Sequence, residues 1–194
     1  MSYYFAIVGT KDNPLFEHEF GTSKQGGDGI ARFPEAARHM NQFIVHSSLD
    51  MVEEIQWAAG AMYLKVVDRF YNNYISCFLT GGNVKFLLLH APSAPLASTA
   101  SPSASTLPPS GSGASGTNAS ISSLPAAAAP PSRSSTSIAA NPTSPATEEA
   151  IRQFFSDVFE IWVKTTMNPF YDPNMPVTSN VFRARIAAAG KKYL

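Results

Sequence analysis

Alternation of apolar and polar residues predicts a β-hairpin at the start of the chain. Residues 3–8 are rich in β-forming side chains, and residues 15–20 alternate apolar and charged positions as a half-buried strand does. The connection between them, residues 9–14, contains the turn-forming triplet DNP. Residues 21–34 are polar and glycine-rich, which indicates a loop.

Helical periodicity replaces alternation in residues 35–58, and it produces two apolar stripes. The first stripe, which we expect to pack on a sheet, comprises Met40, Phe43, Ile44, Met51 and Ile55. The second stripe, roughly a third of a turn away around the helix, comprises Val45, Leu49 and Val52. If the second stripe is exposed, it is a surface for binding a partner chain. A wide core face, or cover by the loop after the second strand, would explain it equally well.

Three further strands are predicted after this helix. Residues 64–70, 74–79 and 84–90 are β-rich, largely apolar runs. The turn sequences NN and GGN separate them, and both sequences are typical of hairpins. These strands and the first hairpin together predict a sheet of five strands.

Two helices are predicted at the end of the chain. Thr147 is a suitable N-cap for a helix whose apolar residues recur every three or four positions through about residue 167. A shorter helix over residues 179–189 is expected to end at Gly190. The element order is ββαβββαα, which predicts an α+β fold: a five-stranded antiparallel sheet with helices on both faces.

Residues 92–147 differ in composition from the rest of the chain. They consist mainly of Ser, Ala, Pro, Thr and Gly, with no aromatic residue and one charged residue, Arg133. Such a stretch buries too little apolar surface to offset the entropy lost on ordering. We therefore predict a disordered insertion at 92–147, inside one domain formed by residues 1–91 and 148–194.

The segment MNPFYDPNMP, residues 167–176, contains three prolines and stops the first of the two C-terminal helices. Two aromatic residues, Phe170 and Tyr171, lie inside this turn. We expect both rings to dock back on the domain and fix the direction of the last helix. On this interpretation, Phe170→Ala lowers the stability of the protein.

Charge and cysteine content indicate which partners and which cellular compartment to expect. The chain has 14 basic and 14 acidic residues, so attraction to nucleic acid is not expected. The single cysteine, Cys77, cannot form an internal disulfide, and no signal sequence is recognisable at the start, which together favour the cytosol. The apolar run at residues 86–89 is far shorter than the ~20 residues of a membrane-spanning helix.

No residue pattern indicates catalysis or metal binding. His39 and His46 face nearly the same side of the predicted helix, but seven residues rise roughly 10 Å, too far to share one ion. No glycine-rich stretch has the Lys-Ser or Lys-Thr of a phosphate-binding loop. Cys77 has no local cationic partner, which favours a small buried residue over a nucleophile. We therefore predict a protein that is not an enzyme and holds no cofactor.

Five segments, in this order along the chain, carry a family resemblance. They are YYFAIVGTKDNPLFEHEF (3–20), HMNQFIVHSSLDMVEE (39–54), MYLKVVDRFYNNYISCFLTGGNVKFLLLH (62–90), IRQFFSDVFEIWVKTTMNPFYDPNMPVTSNVF (151–182) and GKKYL (190–194). Together they resemble the sedlin family, longin-type subunits of the TRAPP vesicle-tethering complex. The resemblance implies a longin (SNARE-like) fold and a non-catalytic role in endoplasmic reticulum to Golgi vesicle-mediated transport. That role is to support complex assembly and Rab GTPase activation by the whole complex.

The same resemblance implies the partners and the location. Other TRAPP subunits are the direct partners, a Rab GTPase is an indirect one, and the cytoplasmic chain is peripheral at endoplasmic reticulum and cis-Golgi membranes through the complex only. Asp50 is implied as a candidate for contacts to other subunits, beside Val45, Leu49 and Val52. The alternative is a longin-type regulatory domain related to SNARE proteins. A SNARE carries a heptad helix after the longin fold, whereas this sequence ends four residues after Gly190, which favours the tethering subunit.

Overall fold

The computed structural model describes residues 1–23, 27–91 and 144–194. Five strands and five helices lie in these ranges. In chain order they are β1 (Ser2–Val8), β2 (Pro14–Gly21), α1 (Glu35–Arg38), α2 (Met40–Ser47), α3 (Leu49–Gln56), β3 (Tyr63–Phe70), β4 (Asn73–Leu79), β5 (Lys85–Ala91), α4 (Pro145–Thr166) and α5 (Asn180–Tyr193). All five predicted strands are confirmed to within a residue or two at their ends.

The five strands form one antiparallel sheet in the order β2-β1-β5-β4-β3. Strand β1 lies between β2 and β5, so that Tyr4 is opposite Glu19 on one side and Leu89 on the other. Every residue of β1 is buried, as expected for a central strand covered on both faces. Strands β2 and β3 are the edges of the sheet.

Two separate hydrophobic cores lie on the two faces of the sheet. On one face, α4 and α5 cover a core rich in phenylalanine, in which the rings of Phe5 and Phe154 meet edge to face at 5.4 Å. On the other face, α2 and α3 cover an aliphatic core that includes Val52 and Leu87. Helices therefore lie on both faces, which confirms the predicted α+β fold.

Helix α4 begins earlier than the sequence pattern predicts. Its N-cap is Ser144, whose hydroxyl oxygen accepts the backbone N–H of Thr147 at 3.2 Å, and Pro145 occupies the first turn. Thr147 as N-cap is therefore wrong by three residues, because the Ser-Pro pair is the stronger start signal. Residues 144–147 belong to the folded part, and the remainder of the predicted insertion lies outside the described residues, so its disorder stays a prediction.

Helix α5 continues through Gly190 to Tyr193, so the expected stop at this glycine is wrong. Gly190 is buried, and a Cβ atom added there would collide with the ring of Phe20 on β2. The glycine therefore serves close packing between helix and sheet, and it does not cap the helix.

The turn after α4 is fixed differently from the sequence prediction. Phe170 is 92% exposed, so the expectation that its ring docks on the domain is wrong. Tyr171 does pack inward, with its ring 5.9 Å from that of Trp162 in an edge-to-face arrangement. Asn174 holds the turn through its side-chain oxygen, which accepts the backbone N–H of Thr10 at 2.9 Å. Its backbone carbonyl also accepts the side-chain amide of Asn13 at 2.9 Å. The two hydrogen bonds of Asn174 and the inward-facing ring of Tyr171 therefore position the turn after α4.

Candidate partner-binding surface

The predicted partner-binding stripe on α2 and α3 faces the sheet. Val45, Leu49 and Val52 are 2%, 4% and 0% exposed, and all three belong to the aliphatic core. Of the alternatives that the sequence left open, the exposed stripe is therefore wrong and the wide core face is confirmed. Of the residues predicted to contact a partner, only Asp50 is exposed.

Two polar residues lie on the inward side of the helix pair, and the sequence prediction did not expect this. Asn41 and Ser48 are buried on the inward side of α2 and α3, together with the branched aliphatic residues. The Ser48 hydroxyl donates to the carbonyl oxygen of Val45 at 2.7 Å, which removes most of the cost of burying it. The sequence prediction considered only apolar residues, and it therefore placed Met40 and Phe43 on the inward side. It did not consider that Ser48 can be buried when its hydroxyl is hydrogen-bonded. The spacing of the branched residues at 44, 45, 49 and 52 was the signal for the inward face.

The same serine interrupts the helix. Residues 35–58 were predicted as one helix, whereas the structure has three segments separated at His39 and Ser48. The backbone of Ser48 has φ −72° and ψ −9°, so ψ departs from the value of a regular helix. A serine that bonds back to the preceding turn commonly bends a helix. On the two sides of this interruption, α2 contacts β5 and α3 contacts β3.

The opposite side of these helices carries large apolar side chains in contact with solvent. We call this surface the outer helix face; its residues are Met40, Phe43, Asp50 and Met51. Phe43 is 64% exposed, and the two methionines are 37% and 39% exposed. Methionine and phenylalanine are residues that interfaces favour, because methionine adapts its shape and the aromatic ring buries a large area.

Exposed apolar residues continue along the chain beyond the outer helix face. Trp57, which follows α3 directly, is 86% exposed, and Met62, which precedes β3, is 40% exposed. Glu53 and Glu54 are exposed on α3. Asp50 lies in the first turn of α3, where the helix dipole favours a negative charge. The surface therefore combines apolar side chains with carboxylates and is suited to protein contacts.

The reactive groups of the interior are sealed from solvent. Cys77 is fully buried, as predicted, and burial raises the pKa of its thiol to about 12, so the thiol stays protonated at neutral pH. Ser76 and His90 lie 3.2 Å apart, from Oγ to Nε2, but both side chains are fully buried. Burial also lowers the pKa of His90 to about 4. A substrate cannot reach these groups without unfolding the sheet.

Neither a membrane-spanning helix nor a metal-binding cluster is present among the described residues. Within residues 1–23, 27–91 and 144–194, no helix is long and apolar enough to cross a membrane. Across these same ranges, no cluster of three or more His, Cys, Asp or Glu residues could hold a metal ion.

The sheet order and the two helical layers define a longin-type fold. The model of the Sedlin family matches residues 7–192 of the chain. The chain is 31% identical to the Transport protein particle 20 kDa subunit of Schizosaccharomyces pombe, over 100% of both proteins. It is 28% identical to the Probable trafficking protein particle complex subunit 2 of Drosophila melanogaster, over 100% of the chain and 97% of that protein. The chain belongs to the Sedlin family.

Proposed function

We propose that this protein is a non-catalytic subunit of a trafficking protein particle (TRAPP) complex. Its relatives in fission yeast and fruit fly are named as subunits of that particle, and the similarity extends over the whole chain. In this role, the chain supports assembly of a vesicle-tethering complex in endoplasmic reticulum to Golgi transport. Activation of a Rab GTPase is then a property of the whole complex, and the chain reaches the membrane as part of it.

The outer helix face is the observation that carries this proposal. A helix pair whose inner side is fully packed still presents Phe43, Met40 and Met51 to solvent. Exposed apolar side chains grouped on one surface mark binding sites for other proteins. Asp50 lies on the same surface, and it remains our candidate for a polar contact with a neighbouring subunit.

Phe43 is the expected anchor of the contact, because a large aromatic ring loses the most exposed area when a partner covers it. Replacing Phe43 with serine removes this area while leaving the core untouched, since the side chain is 64% exposed. Phe170→Ser is the matched control, because Phe170 is the other strongly exposed phenylalanine and lies on the turn after α4.

The test is recovery of the particle from cells that carry a tagged chain. We expect Phe43→Ser to reduce the co-purifying TRAPP subunits, quantified by mass spectrometry, and Phe170→Ser to leave them at the level of the unmodified chain. Full recovery with Phe43→Ser would contradict the proposed surface. Equal loss with both variants would also contradict it, since the effect would then not be specific to the outer helix face.

A further inference from the structure

Among the residues that the structure describes, the outer edge of β2 is paired at both ends and unpaired in the middle. The backbone N–H of Val177 donates to the carbonyl oxygen of Leu15 at 2.8 Å, and the N–H of Gly21 donates to the carbonyl oxygen of Gly29 at 3.0 Å. Leu15 and Gly21 therefore direct backbone groups away from β1. Because alternate residues of a strand direct both groups to the same edge, Glu17 and Glu19 do so as well. Among the described residues, no backbone group pairs with theirs on this edge.

A cleft runs along the open part of this edge. Its volume is about 510 Å³, and its lining includes Glu17, His18, Glu19, Ile30, Arg38 and Arg183. We call it the β2-edge cleft. It contains the free backbone donors and acceptors that a further strand needs.

The two walls of the β2-edge cleft carry opposite charges, and neither charge has an ionic partner in the described part of the chain. On the α2 side, the carboxylate of Glu17 accepts the Gln42 side-chain amide at 3.0 Å, and no cation among the described residues pairs with it. On the α5 side, the Arg183 guanidinium lies 5.3 Å from the centre of the Phe16 ring, and no carboxylate in the described ranges pairs with it.

Glu19 differs from Glu17 because it is already neutralised. Arg38 donates to both of its carboxylate oxygens, at 3.0 Å and 2.6 Å. Ile30, which is 64% exposed, also lines the cleft. The position opposite Glu19 is therefore suited to an apolar side chain, because a second cation there would meet Arg38.

The other edge of the sheet is protected against strand addition. Strand β3 is irregular at two places in its pairing with β4, and Lys65 has a φ of 62°. Irregular backbone and charged side chains are common devices that prevent edge pairing. Strand β2 pairs with β1 without a shift from Ser2 through Ile7, so its edge is regular where the cleft lies.

A second copy of the chain fits this edge poorly. Antiparallel pairing of two β2 strands centred on His18 would place Glu17 of each copy opposite Glu19 of the other. Glu19 is already paired with Arg38, and His18 would face His18, so neither Glu17 nor Arg183 would gain an opposite charge in this pair. The occupant is therefore a different sequence.

We propose that the β2-edge cleft binds an extended segment of a partner protein, which adds to the sheet as an antiparallel strand beside residues 16–20. The segment carries an apolar side chain opposite Glu19, an acidic one opposite His18 and near Arg183, and a basic one opposite Glu17. This proposal does not depend on the outer helix face, which lies on α2 and α3.

The probe is the peptide acetyl-Thr-Ile-Glu-Lys-Thr-amide, which has this order of side chains for antiparallel pairing. The control is acetyl-Thr-Ile-Lys-Glu-Thr-amide, which has the same composition with the two charges exchanged. We expect the first peptide, at millimolar concentration, to shift the backbone amide resonances of residues 16–20, and the second to bind about tenfold more weakly because both charge pairs become repulsive. Equal binding of the two peptides, shifts confined to other surfaces, or no shift would overturn the proposal.

A pair of variants tests whether the backbone takes part. Glu17→Pro removes an N–H that points away from β1, so an edge strand tolerates it while an added strand loses a hydrogen bond. Glu17→Ala removes the same carboxylate and keeps the N–H. We expect Glu17→Pro to abolish the shifts and Glu17→Ala to weaken binding only partly, with resonances outside β2 unchanged in both. Equal binding by the two variants would show that no strand is added, and would overturn the proposal.

Discussion

The ring of Phe20 on β2 lies directly against the backbone of Gly190 in α5, in the space that a Cβ atom at position 190 would occupy. This contact sets the distance between the last helix and the sheet. It also explains a glycine inside a helix, where glycine is otherwise unfavourable by about 1 kcal/mol relative to alanine.

Gly190→Ala is therefore expected to lower the free energy of unfolding, by about 1–3 kcal/mol, because overpacking outweighs the gain in helix propensity. Chemical denaturation measures the change. Gly82→Ala is the control, since nothing lies within 4 Å of a Cβ at that loop position. Adding Phe20→Leu to Gly190→Ala should recover part of the loss, and simple additivity of the two effects would contradict the contact.

An ion pair between a buried lysine and a partly exposed aspartate connects the first hairpin to the central strand of the sheet. The Lys85 ammonium, whose side chain is 2% exposed, donates to the carboxylate of Asp12 at 2.8 Å. Asp12→Asn keeps the size of the side chain and removes its charge, leaving a buried cation without its counter-charge. We expect the free energy of unfolding to fall by about 1–3 kcal/mol, between the values for exposed and for buried pairs, because Asp12 is 43% exposed.

The exposed pair of Lys164 and Glu160 is the control for this prediction. Its atoms lie 3.8 Å apart and both side chains are largely exposed. Glu160→Gln is expected to change the free energy of unfolding by well under about 1 kcal/mol. If Asp12→Asn has as small an effect as Glu160→Gln, then the ion pair between Lys85 and Asp12 does not hold the hairpin in place.

We expect the stability of the protein to decrease in acid because of His90. Its imidazole is fully buried between the rings of Tyr3 and Tyr74, and burial lowers its pKa to about 4 from the ordinary value of 6.5. Between these two values the unfolded chain binds a proton that the folded chain does not. Stability therefore falls as the pH drops from 6.5 to 4, with a total contribution on the order of 3 kcal/mol.

His90→Gln should remove this contribution, so its free energy of unfolding depends less steeply on pH between 6.5 and 4 than that of the unmodified protein. Above pH 6.5 the two curves should run parallel, because the imidazole is then neutral in both states. Equilibrium denaturation at a series of pH values gives both curves. Identical slopes below pH 6.5 would contradict the prediction, because they would show that the pKa of His90 is the same in the folded and the unfolded state.

The aromatic residues near the turn after α4 differ in burial, so we expect them to contribute differently to stability. Trp162 is 4% exposed and contacts both Tyr171 and Phe182, whereas Phe170 is 92% exposed. We expect Trp162→Ala to cost about 3–5 kcal/mol of unfolding free energy. Phe170→Ala is expected to change it by at most about 0.5 kcal/mol. A large loss of stability with Phe170→Ala would restore the interpretation drawn from the sequence.

The strands were predictable because alternation, β-branched residues and hairpin turns act locally. The orientation of α2 and α3 was not, because it depends on a tertiary fact: Ser48 can be buried once it bonds to Val45. The role of Gly190 was hidden for the same reason, since only the position of the Phe20 ring explains it. Asp50 was placed correctly on the exposed side, because charge predicts exposure more reliably than apolarity predicts burial.

The central claim is that the outer helix face contacts another subunit of the particle. Its most direct test replaces Phe43 with a photo-crosslinking phenylalanine analogue in the assembled complex and identifies the crosslinked chain, with the same analogue at position 170 as the control. We predict crosslinks to a neighbouring subunit from position 43 and none from position 170. Crosslinks from position 170 alone would contradict the claim.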